Sequence, residues 1–210
     1  MMVIFPFINY NYIRLTYKSN IGLIFTTFKD IVKSGKKYNI IYADPPWSYN
    51  DKALAGNRGA GCKYDLMSLE ELKNLPLENI CNDDCILFMW ATFPQLSEAL
   101  QLIKSWGFKY KTVGFVWIKK NKDLSNFTGM GWYTRSNAEI VLIARKGKIK
   151  IKNHSVNQVI ETIRESHSKK PGGVRDRIVK LCGDLPRIEL FSRQEIYGWD
   201  SFGNQVQALV

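Results

Sequence analysis

The sequence predicts an α/β fold, a mostly parallel sheet with helices on both faces. Three observations carry that expectation. Short apolar runs rich in β-formers recur along the chain. Amphipathic segments with helical spacing and clear stop signals stand between several of them. The length of 210 residues, 45% of them hydrophobic, suits one compact domain with a sizeable core.

The first element is Tyr38–Ala43 (YNIIYA), an apolar run stopped by Asp44-Pro45-Pro46. Ser68-Leu69-Glu70-Glu71 has the form of a capping box, in which serine and glutamate each satisfy a backbone N–H of the first turn. Leu69, Leu72 and Leu75 follow at helical spacing. Residues 85–91 (CILFMWA) read as a second buried strand. Residues 94–106 read as a helix, with Leu96, Leu100 and Ile103 on one face and Gly107 as its stop. Residues 113–118 and 140–144 read as further strands, 174–182 as a helix closed by Gly183, and 187–191 as a final strand. The domain is expected over residues 31–210. Residues 1–30 read as an N-terminal extension whose structure the sequence leaves open.

In a sheet of this kind a ligand sits beyond the carboxyl ends of the strands. Asp44 lies at one such end and the segment after Phe191 at another, so two distant stretches are expected around one pocket. The formal charge of +11 favours a polyanionic partner, nucleic acid before membrane. No stretch approaches the ~18 uninterrupted apolar residues of a membrane-spanning helix. The N-terminus lacks the basic-then-apolar order of a signal peptide. Cys62, Cys81, Cys85 and Cys182 contain no CxxC pair, and His154 and His167 complete no zinc pattern, so no metal site is expected. The cysteines read as reduced thiols of a cytoplasmic protein.

Two loops combine basic residues with aromatic or glycine residues. Residues 48–64 carry Gly56, Gly59 and Gly61 among Lys52, Arg58 and Lys63. Residues 119–135 carry Lys119, Lys120, Lys122 and Arg135 beside Phe127, Trp132 and Tyr133. Basic side chains hold phosphates and aromatic ones stack on bases. Lys119, Lys120, Lys122, Trp132, Tyr133 and Arg135 are therefore the expected nucleic-acid contacts; ordinary solvated loops are the plainer alternative.

Asp44-Pro45-Pro46-Trp47 is the most informative motif. A turn of this composition suits chemistry on an exocyclic amine such as N6 of adenine. That amine is a poor nucleophile, because its lone pair is delocalised into the ring. A site that activates it must accept hydrogen bonds from it. Asp44 offers a carboxylate; Pro45 and Pro46 offer carbonyls without an N–H of their own. Trp47 offers a flat face for a base taken out of its stack. A strand-ending turn with a buried tryptophan is the bland alternative.

The motifs together resemble the DPPW-motif N6-adenine methyltransferase family, the MT-A70-like enzymes. The resemblance runs from about Tyr38 to Val206. It takes in Asp44-Pro45-Pro46-Trp47, Val116-Trp117-Ile118-Lys119, Gly131-Trp132-Tyr133-Thr134-Arg135, His167-Ser168-Lys169-Lys170-Pro171, Glu189-Leu190-Phe191-Ser192-Arg193 and Trp199 through Gln205. It implies a Rossmann-like S-adenosylmethionine-dependent methyltransferase fold with permuted motif order, the catalytic motif preceding the cofactor-binding strand. It also implies roles: Asp44, Pro45, Pro46 and Trp47 in catalysis, and Lys170, Glu189, Leu190, Arg193, Asn204 and Gln205 around S-adenosyl-L-methionine. The family's Asp-Ile pair at the cofactor adenine has no counterpart in residues 25–30.

The family contains RNA enzymes, bacterial and phage DNA enzymes, and partner subunits that have lost the motif. The intact Asp44 motif favours an enzyme over a non-catalytic nucleic-acid-binding subunit. Methylation of a protein or small-molecule amine is a third alternative, disfavoured by the charge. The short chain, without added zinc-finger or RNA-recognition sequences, favours DNA over RNA. A homo- or heterodimer is compatible with all of this.

Overall fold

In Tyr38–Ala43, strand β2, every residue except Asn39 is buried. A run with no polar alternation must be covered on both faces, the condition of a central strand in a parallel sheet. The computed structural model describes residues 22–48, 66–131, 133–165 and 169–203. Within it the other strands are β1 (Ile24–Phe25), β3 (Cys81–Ala91), β4 (Lys109–Lys120), β5 (Ala138–Lys146), β6 (Val159–Ile163), β7 (Arg187–Leu190) and β8 (Asp200–Phe202). Their order across one sheet is β1-β8-β7-β2-β3-β5-β4-β6. β5 runs antiparallel to both its neighbours, and the remaining pairs are parallel. β4 and β5 can be antiparallel neighbours because no crossover helix separates them.

Successive side chains of a strand point to opposite faces, so β2 divides its residues between two cores. Ile41 and Ala43 pack with helices α1 (Phe28–Lys33), α2 (Leu69–Lys73) and α3 (Leu96–Ser105). Ile40 and Tyr42 pack with α4 (Gly173–Cys182) on the other face. The expected mostly parallel sheet with helices on both faces is what forms. No helix among the described residues is long and apolar enough to cross a membrane.

Local signals explain most boundaries. Ser68 and Glu71 form the capping box that starts α2. Pro94 sits in a 3₁₀ turn over Phe93–Gln95, and the α-helix proper begins at Leu96. α3 buries Ala99, Leu102 and Ile103, whereas Leu100 is exposed, so its inner face is rotated from the Leu96-Leu100-Ile103 stripe. Gly183 adopts φ +89 and closes α4, a conformation that glycine takes without a Cβ clash. Position 30 lies inside α1, and Phe25 and Phe28 before it are buried in the core.

One polar cluster ties the sheet's β1 edge to its centre. The Asp200 carboxylate accepts from Leu23 N–H at 2.7 Å, Lys36 Nζ at 2.7 Å and Tyr38 Oη at 2.7 Å. Lys36 is substantially exposed, so the buried phenol and the backbone N–H account for most of the cost of losing the acceptor. Asp200→Ala should lower unfolding free energy by about 2–4 kcal/mol. Urea denaturation tests this; a change below about 0.5 kcal/mol would contradict the assignment.

Candidate active site

Parallel pairing of β2 with β7 sets Tyr42 beside Glu189 and Ala43 beside Leu190. Asp44 N–H donates to the Leu190 carbonyl at 3.4 Å, which carries the ladder one residue past β2. From here the two chains part: one returns through α2 to β3, the other turns toward β8 on the opposite side. A crevice opens where parallel strands diverge in this way. Phe191, the first residue after β7, holds φ +63, an uncommon conformation for a side chain of that size. Gly203 passes so close that a Cβ would lie 2.0 Å from the Ser192 carbonyl oxygen. Glycine is therefore required where the β8 exit crosses the β7 exit.

Four charges alternate in sign across this edge. Lys170 Nζ donates to Asp44 Oδ2 at 2.9 Å and lies 3.4 Å from Glu139 Oε2. Lys119 Nζ donates to Glu139 Oε1 at 2.5 Å. Burial acts against the Lys170 ammonium, but Asp44 and Glu139 outweigh it and hold its pKa above the ordinary lysine value. Burial likewise acts against the Glu139 carboxylate, but Lys170 and Lys119 outweigh it and hold its pKa below the ordinary value. Aromatic rings floor the row. Lys170 lies 5.4 Å over Trp90 and Lys119 lies 5.1 Å over Trp117. Trp90 meets Trp117 edge-on at 6.1 Å and donates its indole N–H to Tyr42 Oη at 2.5 Å.

Glu189 stands on the same face as Tyr42. Both its oxygens accept from Arg175, from Nε at 2.6 Å and from Nη2 at 2.7 Å. Ser201, the strand partner of Glu189 on β8, is fully buried, and its hydroxyl has no hydrogen-bond partner among the described residues. Leu190 is a core side chain that meets the crevice through its carbonyl. Arg193 is half-buried in the turn after β7. Asn204 and Gln205 lie outside the described residues. This donor set fits a ligand with a carboxylate and vicinal hydroxyls. Lys170 retains one N–H, each Glu189 oxygen retains an acceptor site, and an unpaired hydroxyl lies alongside.

The catalytic turn differs in detail from the sequence expectation. The proline carbonyls do meet competing donors. Trp47 N–H donates to Pro45 O at 2.9 Å and Met67 N–H to Pro46 O at 2.8 Å, which leaves each oxygen one further site. Trp47 is 7% exposed and built into the core beside Leu72 and Met67, so most of its face is covered. Asp44 remains half-exposed at the crevice.

The basic loop is also divided. Because β4 runs on to Lys120, the first two lysines belong to a strand and not to the loop. Lys119 joins the charge row. Lys120 pairs with Asn126 at 2.8 Å and Glu161 at 3.3 Å. Lys122, Tyr133 and Arg135 are exposed. Trp132 and residues 49–65, which contain the other basic loop, lie outside the described residues. Among the described residues no cluster of His, Cys, Asp or Glu has the makings of a metal site. Cys182 is pushed up to about 12 by burial, so it is a neutral thiol.

Sequence reasoning missed Glu139, Arg175, Tyr42 and Trp90. Arg175 had a readable signal: it lies on the stripe of α4 shared with Ile178 and Cys182, and a charge on a buried stripe demands a partner. Glu139 had none, because it reaches this edge only through the antiparallel direction of β5.

Residues 38–205 match the MT-A70 family. The chain is 42% identical over 189 residues to the type II methyltransferase M.MunI of Mycoplasma sp, covering 81% of this chain and 78% of that protein. It is 24% identical over 178 residues to the human N(6)-adenosine-methyltransferase catalytic subunit METTL3, covering 82% of this chain and 29% of that protein. It is 31% identical over 89 residues to the N6-adenosine-methyltransferase non-catalytic subunit MTB of Arabidopsis thaliana, covering 42% of this chain and 11% of that protein.

A carboxyl whose folded pKa is lowered adds stability above its ordinary pKa and loses it as pH falls through the folded value. For Glu139 the loss therefore falls below pH 4.5, its ordinary value. Glu139→Gln should destabilise the protein by about 1–3 kcal/mol at neutral pH, with a shallower loss on acidification than the parent shows. Denaturation at neutral pH and below that value measures both; parallel pH curves would contradict the charge row.

Proposed function

The chain belongs to the MT-A70 family, and from that premise we propose that it transfers the methyl group of S-adenosylmethionine to N6 of adenine in DNA. Family membership makes it an adenine N6 methyltransferase on a Rossmann-like fold. The choice of DNA, the donor and the residue roles are our reading. The observation that carries it is Asp44, a carboxylate at the end of the central strand, tied down by Lys170 and retaining acceptor sites toward the crevice.

S-adenosylmethionine, when bound, supplies a methyl group already activated by a sulfonium. The task left to the chain is alignment and charge stabilisation. Asp44 accepts a hydrogen bond from the target amine and draws its lone pair out of conjugation. The second amine hydrogen meets the free site of the Pro45 carbonyl. Positive charge develops on the nitrogen as the new bond forms, and the Asp44 carboxylate offsets it and receives the proton. Lys170 orients Asp44 and keeps one N–H for the donor's carboxylate. Glu189 and Ser201 line the ribose side.

DNA is favoured over RNA by the relatives. The type II methyltransferase match is stronger and spans most of that protein, whereas the chain spans under a third of the human adenosine enzyme. Lys122, Tyr133 and Arg135 are the exposed cationic and aromatic residues that meet the polymer. Relatives named as a catalytic subunit and as a non-catalytic subunit support a hetero-subunit partner, and a homo- or heterodimer is our reading. We place the protein in the cytoplasm, where Cys81, Cys85 and Cys182 stay reduced.

Mass spectrometry of digested DNA and RNA after incubation with methyl-labelled donor tests this reading. N6-methyladenine is expected in DNA; label confined to RNA would overturn the choice of polymer. Asp44→Ala should lose methylation by about 10²–10⁴-fold, because its contact is made to the reacting amine. Donor affinity should stay within about threefold, since Lys170 keeps Glu139 as a partner. Normal turnover by the variant would sink the role given to Asp44.

A further inference from the structure

Arg175 is the one charged residue on the buried side of α4, beside Val174, Ile178 and Cys182. Its guanidinium lies 5.6 Å over Tyr42 and makes a two-pronged contact with Glu189, both side chains being 10% exposed or less. A carboxylate has about four acceptor sites. The fork takes one on each oxygen and so leaves one on each oxygen. The fork meets both oxygens along parallel directions, so what remains is one acceptor site on the outer side of each oxygen; the two point apart, and each suits a single hydroxyl. We propose that Arg175 is a positioning residue for the methyl donor, holding the Glu189 carboxylate so that one of its outer acceptor sites receives a ribose hydroxyl. The proposal rests on the reading of Glu189 as the ribose ligand and adds to it the group that makes Glu189 competent.

The surroundings of Glu189 show why such a group is needed. Tyr42 and Asp44 face it from β2 and its exit, Ser201 from β8 and Arg175 from α4. The phenol of Tyr42 is pushed up by burial and stays neutral. Burial raises the Glu189 pKa and the Asp44 charge adds to this, while Arg175 acts in the other direction. Without Arg175 none of these groups opposes that rise, and a protonated carboxyl would present an O–H where the donor needs an acceptor. Arg175 itself is held charged: burial opposes the guanidinium, and the Glu189 contact outweighs it. A purely structural ion pair would leave the ratio of variant to parent affinity independent of pH.

Calorimetry with S-adenosylhomocysteine, which carries the same ribose, tests this from about pH 6 to about pH 9. Affinity ratios of variant to parent cancel titration of the ligand's own amino group. Arg175→Met should bind about tenfold more weakly at the acid end and recover as pH rises and Glu189 ionises. Arg175→Lys, which keeps the charge and is the more conservative in folding, should bind several-fold more weakly with the parent's pH profile. Its single ammonium cannot fix both oxygens. Parent-like affinity at every pH in Arg175→Lys, or a pH-independent ratio in Arg175→Met, would overturn the positioning role. Glu189→Ala separates the two levels. If it binds as the parent does, the ribose reading itself fails; if it binds weakly while the Arg175 variants bind normally, only the role of Arg175 fails.

Discussion

The parallel register of β2 against β7 is the constraint on which the rest of the site depends. Tyr42 beside Glu189 and Ala43 beside Leu190 bring two stretches far apart in sequence to one edge. A shift of one residue would turn Asp44 to the α1–α3 face and break its relation to Lys170. The register is fixed by burial on both sides, since Ile41 and Ala43 fill one core while Ile40 and Tyr42 fill the other. The hydrophobic layers thus set the position of a carboxylate that contributes nothing to them.

Two charge systems lie on that frame, and they divide the edge. One is the row Asp44, Lys170, Glu139, Lys119, over Trp90 and Trp117. The other is the Arg175–Glu189 fork beside Tyr42. Tyr42 joins them through its hydrogen bond with Trp90. Ionised groups out of water are costly unless paired, so each system is nearly closed on itself. Acceptor sites remain on Asp44 and Glu189, and one donor on Lys170. Those are the groups on which the proposed chemistry draws.

Much of the fold was legible in the sequence, for reasons particular to each element. β2 announced itself by an unbroken apolar run and its prolines, α2 by its capping box, and α4 by Gly183. β6 and β8 were not legible. Val159–Ile163 is an edge strand with one neighbour, and Asp200–Phe202 is three residues built around a polar cluster. β3 begins Cys81-Asn82-Asp83-Asp84, and the three polar residues disguise the start of the strand where its register against β2 shifts. Asp44, Lys170 and Glu189 were legible as a constellation, because a motif and its order survive without coordinates. Glu139 and the inward turn of Lys119 were not, because they follow from strand direction and from β4 running on to Lys120. A lysine in a basic run reads as solvated until its partner is known.

The account's central claim is that the edge is shared, with the donor on the Glu189 side and the target amine at Asp44. A crystal structure of the chain with S-adenosylhomocysteine tests it most directly. The account predicts a ribose hydroxyl on an outer site of Glu189 with the Arg175 fork intact, the ligand carboxylate at Lys170, and Asp44 left open to the crevice. Ligand density away from the β2 and β7 exits, or covering Asp44 in place of Glu189, would contradict it.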